Sequence, residues 1–220
     1  MEIDLQLGTL WSRIEHLLKN KLQGVLGGSF LVESGLKSAD LETIGRGWRI
    51  VTSNQMVVLR CINHLIFLGQ SAHFEPERCD LREQVQMAVD EFEGLPDRAE
   101  FQSEIEYLLS ESPVVVLGEP QLIRSAIIGL LRIAFEANRD SSDRKVVVRY
   151  LSGGVELISY GSQLDWKSLW ELDISNGNRL YELLLIEWGV AALAIKRQRG
   201  KLLAGHEDRR IWFKIELPGG

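Results

Sequence analysis

His16, in the stretch Ile14-Glu15-His16-Leu17-Leu18-Lys19-Asn20-Lys21-Leu22-Gln23, is the residue of this chain best placed to do chemistry. On an ideal helix turning about 100° per residue, with Trp11 at zero, His16, Asn20, Gln23 and Gly27 lie about 120 to 180° away, on the polar side. A solvated imidazole is largely neutral at pH 7, so one ring nitrogen is available as a nucleophile. An ordinary surface histidine fits the same geometry, and only its surroundings separate the two readings. Glu15 beside it reads as solvated surface.

The element that must hold His16 is a long amphipathic helix, predicted from about Asp4 to Ser34. Leu7, Ile14, Leu18, Leu22, Val25 and Val32 fall within about 60° of Trp11 and form one apolar seam. Trp11, Leu18, Val25 and Val32 recur every seven residues, the spacing of helices packed side by side in a left-handed bundle. Gly24, Gly27 and Gly28 lower local helix propensity by up to ~1 kcal/mol each, and mark either a kink or a place where a partner's backbone comes close. Ser34 to Asp40 reads as the turn. A second helix is predicted to about Gln70, with Ile44, Trp48, Val51, Val58, Ile62 and Leu65 at spacings of three, four and seven. Two such helices cannot bury both apolar faces as an isolated hairpin; pairing with a second copy, as a four-helix bundle, solves this.

Beyond Gln70, Ser71 to Arg78 reads as a linker, and Asp80 as the cap of a helix with Glu83 three residues on. Leu81, Val85, Ala88, Val89 and Phe92 mark its buried side. Strands are predicted at Ile105 to Leu109 and Val114 to Leu117, then an apolar helix from Gln121 to Asn138. Lys145 to Tyr150 and Val155 to Tyr160 form a hairpin around Ser152-Gly153-Gly154. A helix from Leu180 to Arg199 precedes a second hairpin, Lys201 to Ala204 and Ile211 to Leu217, turning at Gly205 to Asp208. The fold class is α+β: a helical hairpin over 1–72, then over 79–220 a sheet covered by helices on one face.

The chain has 220 residues, 45% of them hydrophobic, and a net charge of −6. No run of Lys and Arg builds a basic face, which argues against nucleic acid as a partner. Cys61 and Cys79 lack metal-type spacing and suit a reducing cytosol. No stretch of about 18 apolar residues is present, and Met-Glu-Ile-Asp is no signal pattern, so a soluble cytoplasmic protein without a membrane span is expected. His64, His73 and His206 are scattered, and no metal site is expected.

The run from His16 to Gln23 resembles the phosphoacceptor box of two-component histidine kinases, particularly the subfamily written H-R-x-K-N-x-L-Q. His16, Lys19, Asn20, Leu22 and Gln23 match in register, and Ile14 fits the wider box. Leu17 departs from it: many kinases carry there an acid that helps deprotonate the histidine, and this subfamily an arginine. The order of hairpin, linker and Asp80-Leu81 helix also resembles a histidine kinase entering its ATPase-like domain. Leu117 to Ala134 looks like the approach to and through the N box, where Glu119, Pro120, Leu130, Leu131 and Ala134 fit. Both asparagines are replaced, by Gly129 and Ile133, and an isoleucine cannot ligate magnesium.

The family's D-x-G-x-G box would fall on Ser159 to Gln163, with Ser159 in place of the aspartate that reads adenine. A serine can still hydrogen-bond, but the ionised acceptor is gone. The glycine box before a helix would fall around Leu185-Ile186-Glu187-Trp188, bulky and anionic where phosphate needs open backbone N–H groups. Gln198-Arg199-Gly200 is what survives of the closing H-G-G. Trp166, Trp170 and Trp188, near the would-be nucleotide pocket, read as core or filling. The resemblance thus implies a dimerisation and histidine phosphotransfer hairpin followed by a degenerate ATPase-like sandwich, with ATP and magnesium binding lost.

The function expected from this resemblance is histidine phosphotransfer between response-regulator receiver domains through His16, without ATP-dependent self-phosphorylation. Lys19 would steady phosphate charge, and Asn20, one turn along, would position phosphate or water. The expected partners are a second copy of the chain and a receiver domain or sensor kinase. The alternative is a non-catalytic, pseudokinase-type regulatory binder of a receiver, kinase or sigma-type partner, with His16 incidental.

Overall fold

A computed structural model describes residues 7–70, 75–95, 98, 104–108, 113–139, 141, 144–160 and 179–219. The chain divides into two compact units, a helical pair and an α+β unit that begins near residue 73.

The helical pair consists of α1 (Leu7–Ser38) and α2 (Leu41–Gln70). Asp4 and the rest of 1–6 lie outside the described residues. α1 runs four residues past its expected end at Ser34. Gly35, read as part of a turn, instead sits in the helix, where an added Cβ would stand 2.9 Å from the Ile44 nitrogen. The reversal is confined to Ala39 and Asp40. Ala39 takes a left-handed conformation at φ 53°, and the N–H groups of Ala39 and Asp40 close back on the carbonyls of Leu36 and Gly35. Asp40 then caps α2, accepting from the N–H groups of Glu42 and Thr43 and from the Thr43 hydroxyl.

The choice left open for the α1 glycines resolves residue by residue. Gly24 faces Asn54 and Gly28 faces Gly47 and Val51, so both mark a close approach of α2, while Gly27 faces open space. The expected single seam divides as well. Leu10, Ile14 and Leu17 are buried, as are Cys61 and His64 on α2, whereas Trp11 and Leu22 stay about half exposed. The antiparallel register set by Gly24 with Asn54 and Gly35 with Ile44 brings Leu17 level with Cys61 and Ile14 level with His64. Each fully buried Leu or Ile contributes roughly 1.5–3 kcal/mol.

In the second unit, β1 (Glu77–Asp80) pairs antiparallel with β3 (Val115–Gly118), so two residues expected in the linker, Glu77 and Arg78, are strand. Glu75 and Pro76 of that linker have no regular structure, and 71–74 lie outside the described residues. Asp80 caps α3 (Leu81–Glu93), accepting from Arg82 N–H at 3.0 Å and from Val114 N–H at 3.3 Å, which ties the helix start to the β3 side.

The main sheet is mixed, in the order β2-β4-β5-β7-β6. β2 (Glu104–Leu108) lies parallel to β4 (Lys145–Leu151), and β5 (Gly154–Tyr160), β7 (Arg210–Glu216) and β6 (Lys201–Glu207) follow antiparallel. Ser152 and Gly153, the latter at φ 75°, make the first hairpin turn as expected. The second turn is tighter than expected. Strand pairing continues through Glu207, and Asp208 and Arg209 turn at φ 45° and 63°, the left-handed pair that suits the twist of a two-residue hairpin.

Rows such as Val148, Leu157, Phe213 and Ala204 face inward across the sheet, and α4 (Pro120–Ala137) and α5 (Arg179–Arg197) pack on that side. α3 lies on α4. Phe92 of α3 and Phe135 of α4 meet edge to face at 5.0 Å between ring centroids.

Candidate phosphoacceptor site

α1 positions the histidine. Its backbone is continuous helix on both sides of His16, and burial of Ile14 and Leu17 fixes the rotation of the helix about its axis. His16, Lys19 and Asn20 therefore stand in solvent, on the side away from α2.

Two side-chain pairs one turn apart organise this surface. The Asn20 amide nitrogen lies 3.0 Å from His16 Nε2. Lys19 Nζ donates to Glu15 Oε1 at 2.6 Å. That hydrogen bond, with the charge of Lys19, holds the Glu15 carboxyl below the usual carboxylate range. Three of the four residues were marked by sequence. Glu15 was read as solvated surface; it is exposed, but it is also the partner of Lys19, and its i, i+4 spacing is the signal for that.

Leu17 turns the other way. At 1% exposure it belongs to the α1–α2 interface, so the position after the histidine, acidic in many kinases, faces the interior of the hairpin.

The second constellation is closed. Ile133, at the position of the magnesium-binding asparagine, is fully buried. Ser159, at the position of the adenine-reading aspartate, is also fully buried, and its hydroxyl donates to the Ala134 carbonyl at 2.7 Å. Tyr160 of that box ends β5, and Gly161 to Gln163 lie outside the described residues, as do Trp166 and Trp170.

Leu185 to Trp188 do not precede a helix: they sit inside α5, which starts at Arg179, so no N-terminal N–H groups are offered there. The expected glycine-box placement fails because Leu184, Leu185, Ile186 and Trp188 are all at 3% exposure or less and supply the helix's packed surface. Trp188 packs on Phe213 at 5.9 Å, as core.

Gly129, the other replaced asparagine, lets α5 come close. An added Cβ there would stand 3.2 Å from a Glu187 carboxylate oxygen and 3.3 Å from its backbone oxygen. Glu187 is at 1% exposure and pairs with Arg132 at 3.3 Å. A magnesium nucleotide does not fit these side chains: one is apolar, one donates its hydroxyl inward, and the third position is covered by a carboxylate.

Gln198 has a role that sequence did not suggest. Its Oε1 accepts from the Glu119 N–H at 2.9 Å, just ahead of α4, and its amide nitrogen donates to the Ala194 carbonyl at 3.1 Å. A separate open cleft of about 410 Å³ lies between the start of β3 and the β4–β5 turn. It is lined in part by Tyr150, whose phenol burial pushes up to about 12. Among the described residues no group of three or more His, Cys, Asp and Glu could hold a metal ion, and no helix is long and apolar enough to cross a membrane.

No protein family and no curated relative matches the sequence. Solved structures do match. The histidine kinase AdeS of Acinetobacter baumannii is similar over 93% of this chain and 94% of its own, at 16% identity and a TM-score of 0.50. A bacterial phosphotransferase is similar over 98% of this chain and 100% of its own, at 15% identity and a TM-score of 0.50. At such identities the likeness speaks for the fold alone: the chain has a histidine-kinase-like architecture, an N-terminal helical pair followed by an ATPase-like α+β domain with a mixed five-stranded sheet.

Proposed function

We propose that this chain is a cytoplasmic histidine phosphotransfer protein of two-component signalling, in which His16 takes a phosphoryl group from the aspartate of one response-regulator receiver domain and passes it to another. The observation that carries this reading is a contrast. His16 stands exposed on a stiff helix, while Ile133 and Ser159, at the positions of the magnesium-binding asparagine and the adenine-reading aspartate, are buried, the serine hydroxyl bonded to the Ala134 carbonyl.

The division of chemistry follows from that contrast. A receiver brings the acyl phosphate and its own metal, so this chain need supply only a nucleophile in line with phosphorus. The helix holds the imidazole in place, and Lys19 lies three residues on, where it can turn from Glu15 toward phosphoryl charge. A homodimer would complete the assembly. In a single chain α1 leaves Trp11 and Leu22 exposed, and α2 leaves Leu41, Trp48, Leu59, Ile62 and Ile66 exposed within about 60° of one another around its axis. A four-helix bundle with a second copy would cover such stripes.

The test mixes the protein with a receiver carrying a labelled aspartyl phosphate. Label on the wild type and none on His16→Ala supports the proposal; no label on the wild type, or equal label on both, rejects it. A non-catalytic regulatory binder is the second reading, favoured by Leu26 and Phe30, which are 61% and 69% exposed and offer contact area whatever His16 does. It predicts that His16→Ala keeps both complex formation and the cellular effect.

A further inference from the structure

We propose that the free edge of β6 pairs antiparallel with the β6 edge of a second copy of this chain, joining two sheets across a two-fold axis at Ala204. The proposal is independent of the phosphotransfer reading and of any pairing between helical hairpins.

β6 closes one side of the main sheet, and among the described residues no strand pairs with its other side. Sheets commonly guard such an edge with a proline, a bulge or a very short strand. β6 has none of these: its seven residues pair with β7 without a break, from Lys201 opposite Glu216 to Glu207 opposite Arg210. The Leu217 N–H bonds to the Gly153 carbonyl on the β5 side, so by alternation Glu216, Lys214, Trp212 and Arg210 of β7 bond toward β6. Their partners Lys201, Leu203, Gly205 and Glu207 turn their backbone groups to β7. The N–H and C=O groups of Leu202, Ala204 and His206 therefore face out along the free edge.

That edge matches itself. With Ala204 opposite the partner's Ala204, Leu202 stands opposite the partner's His206, and every outward backbone group of both strands finds a bond. In the same register Lys201 stands opposite the partner's Glu207, and Glu207 opposite the partner's Lys201, so an opposite-charge pair closes each end. A slip of two residues in either direction loses one facing pair of backbone bonds and separates those charges. The outer face of the sheet adds an apolar contact. The Trp212 indole lies over Gly205, where an added Cβ would stand 2.8 Å from the ring nitrogen. Leu203, half-buried, stands opposite the partner's Gly205, so its side chain meets the partner's Trp212 ring.

The experiment measures the mass of the full chain by sedimentation across a concentration series, with urea denaturation beside it to show that each variant is folded. Wild type should associate as concentration rises, from monomer to dimer, or from dimer to tetramer where the helical hairpins also pair. Ala204→Pro removes an outward N–H from an edge strand, where proline is tolerated, and should weaken this step at least tenfold. Lys201→Glu and Glu207→Lys each turn both end pairs into like-charge pairs and should weaken it about tenfold, while the double variant Lys201→Glu/Glu207→Lys should recover wild-type association. If Ala204→Pro does not fold, the charge variants decide alone. A wild type of constant mass at all concentrations, a mass that ignores the substitutions, or a double variant that associates no better than the single ones overturns the proposal.

Discussion

Gly28 and Gly47 face each other across the helical pair, each in the space the other's side chain would need. A Cβ added to Gly28 would stand 2.9 Å from the Gly47 carbonyl oxygen, and one added to Gly47 would stand 2.7 Å from that of Gly28. Backbone cannot yield as a flexible side chain can, so Gly28→Ala should separate the helices and destabilise the hairpin by about 1–3 kcal/mol. Gly27→Ala, one residue away but facing open space, should instead stabilise α1 by up to ~1 kcal/mol through helix propensity. Urea denaturation of the two variants should move in opposite directions.

Restoring an acid after the histidine should not restore a base. Leu17→Glu would turn a carboxylate into the α1–α2 interface, where Leu17 is at 1% exposure. The lost apolar burial and the buried charge together should cost about 3 kcal/mol or more. Denaturation midpoints would show this, and a variant as stable as wild type would mean that residue 17 reaches solvent.

α5 ends with Arg199 in the left-handed conformation, at φ 56°, where its N–H bonds to the Lys196 carbonyl and that of Gly200 to the Ile195 carbonyl. Glycine takes this backbone geometry without steric cost, although its freer unfolded chain returns part of the gain. Arg199→Gly should therefore stabilise the protein by about 0.5–1 kcal/mol, read as a raised denaturation midpoint.

Two carboxylates make stability depend on acid. Asp40 is held below the usual range first by the Thr43 hydroxyl, then by the Thr43 N–H; Asp80 is held below it first by the Arg82 guanidinium. Each has a lower pKa folded than unfolded, where an aspartate titrates near ~3.9. Their contribution is therefore full above about pH 4 and is lost as pH falls through the folded values. Asp40→Asn keeps a capping side chain but removes one titration. Melting temperature should fall on acidification below about pH 4 in wild type, and less steeply in this variant.

What sequence made legible was what is local. The helices, the Ser152-Gly153 turn and the histidine box follow from spacing and turn chemistry within a few residues. β1 escaped because Glu77-Arg78-Cys79-Asp80 shows no apolar alternation and exists only through its pairing with β3. Gly35 misled because a glycine ends helices and also admits neighbours, and only Ile44 decides between the two. Asn20 and His16 could be set on one face by spacing, but the contact between them needed coordinates. The glycine-box placement went wrong because a degenerate motif no longer anchors an alignment, whereas the packing of Leu185 and Trp188 does.

Gln198 joins two segments 79 residues apart with a single side chain. Because one amide grips the start of α4 and the last turns of α5 together, neither helix can slide without pulling on the other. With each such bond worth about 0.5–1.5 kcal/mol, Gln198→Ala should weaken this clasp between the two rods without unfolding the lobe.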